Sequence, residues 1–366
     1  MKVDFLSFDA QISEINSELK NNLGKVLDSG FFVLGQNLID FENEFKKINH
    51  TKFAIGVGSG LDALIISLKA LGIKENDEVI VASNAYIASW LSITNVGAKI
   101  VPVEPNEKTF NIDPEKIEEK ITQKTKAIMP VHLYGQPCEM DKIMILAKKY
   151  NLFVIEDNAQ SHLALFKNKP TGSFGNINAT SFYPTKNIGA LGEAGCITTN
   201  NKQLSKFAYK YRNYGSSEKY ICDVIGTNSR LDEIQAAILN VKLKHIEKWT
   251  FERQKIAHLY SKRLTGIIET PFKHENCTHV YHLYVIKTSK RDKLQEYLSK
   301  RNIGTAIHYP IPPHLQKAYK YLNYKKGDFP VAEKLANHSL SLPIYPGLKE
   351  DEINYICDRV LEFFKS

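Results

Sequence analysis

The sequence predicts an α/β protein with a mostly parallel central sheet and a smaller α/β unit at its C-terminal end. Two patterns carry this. From residue 52 onward, short apolar runs alternate with stretches of helical spacing, which is the signature of strands lying side by side with helices packed on both faces. Beyond a long helical pattern that follows residue 250, a second and shorter strand and helix succession appears. There is no internal repeat and no low-complexity tract.

Taken in order, Ile12, Ile15, Leu19, Leu23 and Val26 recur at helical spacing and stop at Gly30, as an amphipathic helix with a glycine terminator does. Leu38, Phe41, Phe45 and Ile48 mark a second helix. Strands are expected over 53–57, 79–82, 100–103, 127–131 and 152–155, with helices over 62–71, from about 87, and over 140–149. After Lys186 one more apolar segment, 196–199, precedes helical patterns over 231–248 and 251–264. A strand at 282–286, a helix at 292–300 and a last helix from about 351 to 364 complete the chain. The long helical pattern near 250–275 divides a large unit, 1–250, from a small one, 251–366.

Composition narrows the function classes. With 366 residues, 43% of them hydrophobic, the chain is long enough to bury one large core or two smaller ones. The formal charge of +8 is spread without a basic block, which disfavours a dedicated nucleic-acid binder but suits a phosphate-bearing small substrate. Five scattered cysteines form no CxxC pair, so neither a disulfide framework nor a metal site is indicated, and a reducing cytoplasm is the expected compartment. Asp4, Asp9 and Glu14 stand where a secretory leader needs a basic start and an apolar run. The uncharged stretch 79–98 is long enough for a membrane span, yet its six Ser, Thr and Asn residues fit a buried strand followed by a buried helix, and no membrane partner is expected.

Three segments could carry chemistry. Gly56-Val57-Gly58-Ser59-Gly60 lies between a strand and a helix, where backbone amides can hold a phosphate; a tight turn that merely needs glycine reads equally well. A dinucleotide fingerprint fits poorly, because its third glycine falls on Leu61. Glu156-Asp157 ends a strand at the carboxyl edge of the sheet, where Asp157 either meets a ligand or caps the next helix. Lys186 stands between an aromatic run and the Gly189, Gly192 and Gly195 series. A pyridoxal phosphate site needs a phosphate cradle, a carboxylate for the pyridine nitrogen, a stacking aromatic and a Schiff-base lysine, and candidates for each occur in order.

Four ordered motifs then resemble one family. Gly58-Ser59-Gly60-Leu61-Asp62-Ala63-Leu64, Glu156-Asp157-Asn158-Ala159-Gln160-Ser161-His162, Ser181-Phe182-Tyr183-Pro184-Thr185-Lys186-Asn187 and the segment from Asn228 to Ala237 are similar to those of the DegT/StrS-type sugar-nucleotide aminotransferases. The resemblance implies the aspartate aminotransferase-like fold (pyridoxal phosphate fold type I) and a homodimer with active sites at its interface. It makes Lys186 the Schiff-base lysine, Asp157 the partner of the pyridine nitrogen, Gln160 the partner of the phenolic oxygen and Tyr86 the ring that stacks. Ser59, Gly60, Leu61 and Ser181 would surround the phosphate, with Asn228 arriving from the second subunit. A histidine at position 186 would mark a dehydratase branch; lysine implies transamination, with pyridoxamine phosphate as the amino carrier.

The segment from His308 to Gln316 resembles that of enzymes acting on carbon 3 of dTDP-linked 3-keto-6-deoxyhexoses. Its closely spaced prolines predict a stiff extended loop with no helix. By this resemblance His308, Tyr309 and Tyr183 lie against the sugar, while Lys219, across the interface, and Arg253 contact the nucleotide diphosphate. The implied reaction moves an amino group from L-glutamate to the keto sugar, giving a dTDP-3-amino-3,6-dideoxyhexose for surface glycan synthesis. Amination at carbon 4, a UDP-linked substrate and a non-enzymatic cofactor-binding regulator are the alternatives.

Overall fold

The structure is a computed structural model and describes residues 1–365. Two helices, α1 (Asp9–Ser29) and α2 (Gln36–Ile48), open the chain. Helix α1 buries Ile15, Leu19 and Val26 and ends where Gly30 turns to φ 64°, the left-handed conformation that glycine adopts without a Cβ clash. The alternating region follows as β1 (Phe53–Val57), α3 (Gly60–Ala70), β2 (Glu78–Ala82), α4 (Ile87–Asn95), β3 (Lys99–Val103), β4 (Thr125–Met129), α5 (Met140–Lys149) and β5 (Phe153–Asp157). Then come a small hairpin, β6 (Leu165–Phe166) with β7 (Lys169–Pro170), and β8 (Ile177–Ser181), β9 (Gly195–Thr199) and α6 (Lys202–Tyr211).

These strands form a seven-stranded sheet in the order β1-β9-β8-β5-β4-β2-β3. Its neighbours run parallel except β9, which lies antiparallel to both β1 and β8. All five residues of β8 are buried, although Asn178, Thr180 and Ser181 interrupt its apolar pattern. Burial is tolerated because several of the polar groups are paired: Asn178 Nδ2 donates to the Gly172 and Thr198 carbonyls at 2.8 and 3.2 Å, and Thr180 Oγ1 accepts from Asn158 Nδ2 at 3.3 Å, although Asn178 Oδ1 is buried without a partner. That pairing is why the strand has no visible signature in the sequence.

A second hairpin, β10 (Ser216–Glu218) with β11 (Ile221–Cys222), precedes α7 (Glu233–Leu243) and α8 (Ile246–Leu264). The break between these two helices falls at Lys244 and His245, earlier than the expected division near 249, so Trp249 sits inside α8. The C-terminal elements are β12 (Tyr284–Lys287), α9 (Arg291–Ser299), α10 (Pro330–His338), β13 (Ser339–Leu342) and α11 (Glu350–Lys365), with β12 and β13 antiparallel. The proline-rich loop does contain one 3-10 turn, Pro313–Leu315, because a proline is well suited to the first position of a helical turn.

Two large cores result. The first joins the central sheet to α3, α4 and α5 through Ile55, Leu64, Val81, Trp90, Ile128 and Ile155. The second gathers α8, α9, α11, β12 and β13 around Tyr260, Tyr284, Leu294, Leu342 and Ile356. Val3 belongs to the second core and bridges to Ile303, while Phe5 packs against the first, so the opening residues touch both cores. Among the described residues no helix is long and apolar enough to cross a membrane, and no group of three or more His, Cys, Asp or Glu could hold a metal ion.

Candidate active site

Parallel strands deliver their carboxyl ends to one edge of the sheet, and the loops there surround a cleft of about 450 Å³. The β1–α3 turn, the end of β5, the end of β8 and the loop after it each contribute, and the small domain adds His282, His308 and Tyr309. Ser59, Gly60, Leu61, Tyr86, Asp157, Gln160, Ser181, Tyr183, Lys186, His308 and Tyr309, all singled out in the sequence, line this one cavity.

At its floor, Asp157 ends β5 with 5% exposure. Its Oδ1 accepts from the Ala159 amide at 3.1 Å and its Oδ2 from the Ser89 hydroxyl at 2.7 Å. The neighbouring Glu156, alternating to the other side of the strand, accepts from the Gly172, Phe174 and Gly175 amides and pairs with His132 at 2.9 Å. Of the two adjacent acids, one therefore faces the cleft and the other braces the turn that leads into β8.

Lys186 follows β8, its amide donating to the Tyr183 carbonyl at 2.8 Å to close a tight turn. Burial pulls its amine down to about 8, and the nearby Asp157 carboxylate partly opposes that fall. An amine at about 8 is neutral in roughly a tenth of molecules at pH 7, against fewer than one in a thousand for an ordinary lysine. His162 supports the same loop from beneath, donating from Nε2 to the Ser181 carbonyl at 3.0 Å and accepting the Ile188 amide at Nδ1 at 3.3 Å. Burial, and then the Lys186 cation, push its imidazole down to about 3, so it stays neutral.

The β1–α3 turn is a tight turn, and its groups are compatible with a phosphate cradle as well. Ser59 caps α3 by accepting the Asp62 amide at 3.0 Å, which leaves its hydroxyl proton free to donate. Gly60 and Leu61, in the first turn of α3 and so at its positive end, line the cleft. Gly60 cannot carry a side chain, for a Cβ there would lie 2.5 Å from Ser181 Cβ. With Ser181 opposite, this end of the cleft offers hydroxyl groups and a helix N-terminus, a combination suited to a phosphate. Phosphate donors, a buried carboxylate and a lysine of lowered basicity on one cavity fit pyridoxal phosphate.

A family model described as the DegT/DnrJ/EryC1/StrS aminotransferase family matches residues 13–361. The chain belongs to this family. Among its relatives is a protein named dTDP-3-amino-3,6-dideoxy-alpha-D-galactopyranose transaminase from Aneurinibacillus thermoaerophilus, 46% identical over 98% of both chains. A Geobacillus stearothermophilus protein named "Pleiotropic regulatory protein" is 42% identical over 100% of this chain and 99% of its own. The X-ray structure of S. venezuelae DesV in complex with a ketimine intermediate superposes with a TM-score of 0.98 at 42% identity, covering 100% of this chain and 99% of that one.

In this DegT/DnrJ/EryC1/StrS family member, three of the residues singled out in the sequence lie outside the cleft. Lys219 occupies the turn of the β10–β11 hairpin and lines a separate cavity with Tyr214, Ser217 and Arg230. Asn228 bridges to Asn213 just before α7. Arg253, in α8, is 2% exposed and donates to the Ile344 and Tyr281 carbonyls at 2.8 and 3.3 Å, while its Nε is buried without a partner. Burial draws its guanidinium down to about 10.

Sequence reasoning missed Ser89, His162, His282 and Glu193. Ser89 sits in the first turn of α4 within an uncharged stretch, where one serine among several carries no signal. In the sequence His282 reads only as the start of a strand. Its Nδ1 meets Asn187 Oδ1 at 3.3 Å, and because an amide oxygen only accepts, that nitrogen carries the proton. Glu193 lines the cleft as an exposed carboxylate within the glycine run.

Proposed function

We propose that this protein is a pyridoxal-phosphate-dependent aminotransferase that moves the amino group of L-glutamate to carbon 3 of a dTDP-linked 3-keto-6-deoxyhexose. The observation that carries the reading is the meeting of Lys186 and Asp157 at the floor of a cleft whose rim bears His308 and Tyr309. Bound there, pyridoxal phosphate supplies an electron sink for a carbanion beside the nitrogen. Asp157 keeps the pyridine nitrogen protonated, held in place by Ser89 and the Ala159 amide. Lys186 Nζ takes the proton from the donor's α-carbon and, in the second half-reaction, delivers one to carbon 3 of the sugar. Ser59, Gly60, Leu61 and Ser181 hold the phosphate, Tyr86 covers the ring, and Gln160 meets the phenolic oxygen.

Tyr183, His308 and Tyr309 receive the sugar, and the Arg253 guanidinium, whose buried Nε has no partner, suits the nucleotide diphosphate. Lys219 and Asn228 serve the cleft of the other subunit in a cytoplasmic homodimer. The exposed apolar residues Phe31, Phe32, Tyr214 and Ile225 support such an assembly. The product, a dTDP-3-amino-3,6-dideoxyhexose, would feed surface glycans such as O-antigen. A second reading, a regulator that binds the cofactor without turnover, is favoured by the name of the Geobacillus relative.

One assay separates these readings. Holoenzyme is incubated with L-glutamate and a panel of 3-keto and 4-keto sugars linked to dTDP or UDP, and the aminated product is identified by mass and NMR. Amination at carbon 3 of the dTDP sugar is expected. Amination of only a 4-keto or UDP-linked sugar would redirect the substrate, and bound cofactor with no turnover on any of them would favour the regulator.

A further inference from the structure

A closed set of hydrogen bonds behind the cleft links the cofactor side to the sugar side. The loop after β4 carries Tyr134, whose hydroxyl donates to the His308 carbonyl. The Tyr134 amide donates to Gln160 Oε1 at 2.7 Å, and Gln160 Nε2 donates to the Tyr309 hydroxyl at 3.1 Å. Since His308 and Tyr309 are consecutive, Tyr134 and Gln160 grip the same short segment at two points and each other at a third. Gln160 keeps a second amide hydrogen for the cofactor, so holding Tyr309 does not exhaust it.

The loop is built to hold Tyr134 still. Asn111, 2% exposed, accepts the Leu133 amide at 2.9 Å and donates to the Gln136 and Pro137 carbonyls at 2.9 and 3.0 Å. The Tyr134 ring packs edge-on against Phe110 with centroids 5.1 Å apart. Its backbone stands at φ 59°, the left-handed region where a tyrosine is disfavoured and a glycine is not. A bulky residue kept in that conformation, with its hydroxyl aimed at the segment bearing the sugar contacts, indicates that the side chain itself is required. Burial raises the phenol well above its ordinary value, so it remains a donor.

We propose that Tyr134 is a positioning residue for the sugar: its hydroxyl fixes the His308–Tyr309 segment against the cleft without itself lining the cleft or touching substrate. The inference rests on the reading of His308 and Tyr309 as sugar contacts. It deepens that reading by placing the determinant of sugar-loop geometry in the large domain.

Tyr134→Phe tests it, because the ring and the backbone bond to Gln160 survive and only the hydroxyl is lost. Calorimetric titration of the holoenzyme with a dTDP-3-amino-3,6-dideoxyhexose should show about tenfold weaker binding, the scale of one well-formed hydrogen bond. Affinity for dTDP alone and the single-turnover rate with L-glutamate should stay as in wild type. Thermal unfolding of the same samples controls for folding. A lowered unfolding midpoint with unchanged sugar-nucleotide affinity, or equal weakening of dTDP and the sugar nucleotide, overturns the proposal. Wild type is titrated alongside; if it binds dTDP but gains nothing from the sugar, the reading of His308 and Tyr309 falls and the inference falls with it.

Discussion

The Ser89 hydroxyl donates a 2.7 Å hydrogen bond to Asp157 Oδ2, joining the first turn of α4 to the last residue of β5 beneath the cleft. The bond fixes the carboxylate in place, and both groups are buried, so little water competes for it. Ser89→Ala should therefore slow turnover roughly ten- to a hundredfold, the worth of a charge-assisted bond, with Ser89→Thr close to wild type. Both half-reactions should slow equally, since Asp157 serves each. Single-turnover kinetics with L-glutamate and with the keto sugar check this.

The environment of Lys186 sets a pH dependence. Burial holds its amine at about 8 against an ordinary 10.5, so in cofactor-free protein the rate of capturing pyridoxal phosphate should rise with pH and level off above about 8. Asp157 raises that value, so Asp157→Asn should move the midpoint lower still. Rapid-mixing absorbance across pH 6 to 10, on the order of half a unit per step, reads both midpoints. A rate still climbing at the alkaline end would contradict the buried setting.

Sharing of sites across a dimer is testable by mixing. Subunits carrying Lys186→Ala and subunits carrying both Lys219→Ala and Asn228→Ala should each be inactive. After subunit exchange, half the dimers are mixed and each has one intact site, so about a quarter of wild-type activity should return. No recovery, with exchange demonstrated, would place Lys219 and Asn228 in their own subunit's chemistry.

His308 Nδ1 lies 2.9 Å from Ser341 Oγ, and burial followed by the Lys186 cation draws the imidazole down to about 4. It is a neutral hydrogen-bonding group and not an acid at neutral pH. His308→Gln should leave cofactor binding and the glutamate half-reaction intact while slowing the keto-sugar half roughly ten- to a hundredfold. Equal slowing of both halves would assign it to cofactor chemistry.

Much of this arrangement was legible in the sequence, and the limits have physical causes. Helices α1, α2 and α5 announce themselves because their buried faces repeat at helical spacing beside solvent. Strand β8 does not, since the hydrogen bonds that Asn178 donates and Thr180 accepts let polar residues stand where apolar ones are expected. In the cleft, Lys186 and Asp157 were readable because their motifs are contiguous. Ser89, His162 and His282 were not, because each acquires its partner only when distant segments fold together. Arg253, readable only through resemblance, is placed among backbone carbonyls. Lys219 lies outside the cleft because its hairpin lines a separate cavity.

The central claim is that Lys186 is the amine that binds the cofactor covalently, and another lysine provides a demanding comparison. Lys242 is also buried, is also drawn down to about 8, and donates to the Gly189 carbonyl of the same loop. Borohydride reduction of the holoenzyme, followed by proteolysis and mass spectrometry, localises the attachment. The account predicts a reduced pyridoxyl group on Lys186 alone, and its disappearance in Lys186→Ala. A label on Lys242, or on no lysine of a protein that still turns over, would contradict it.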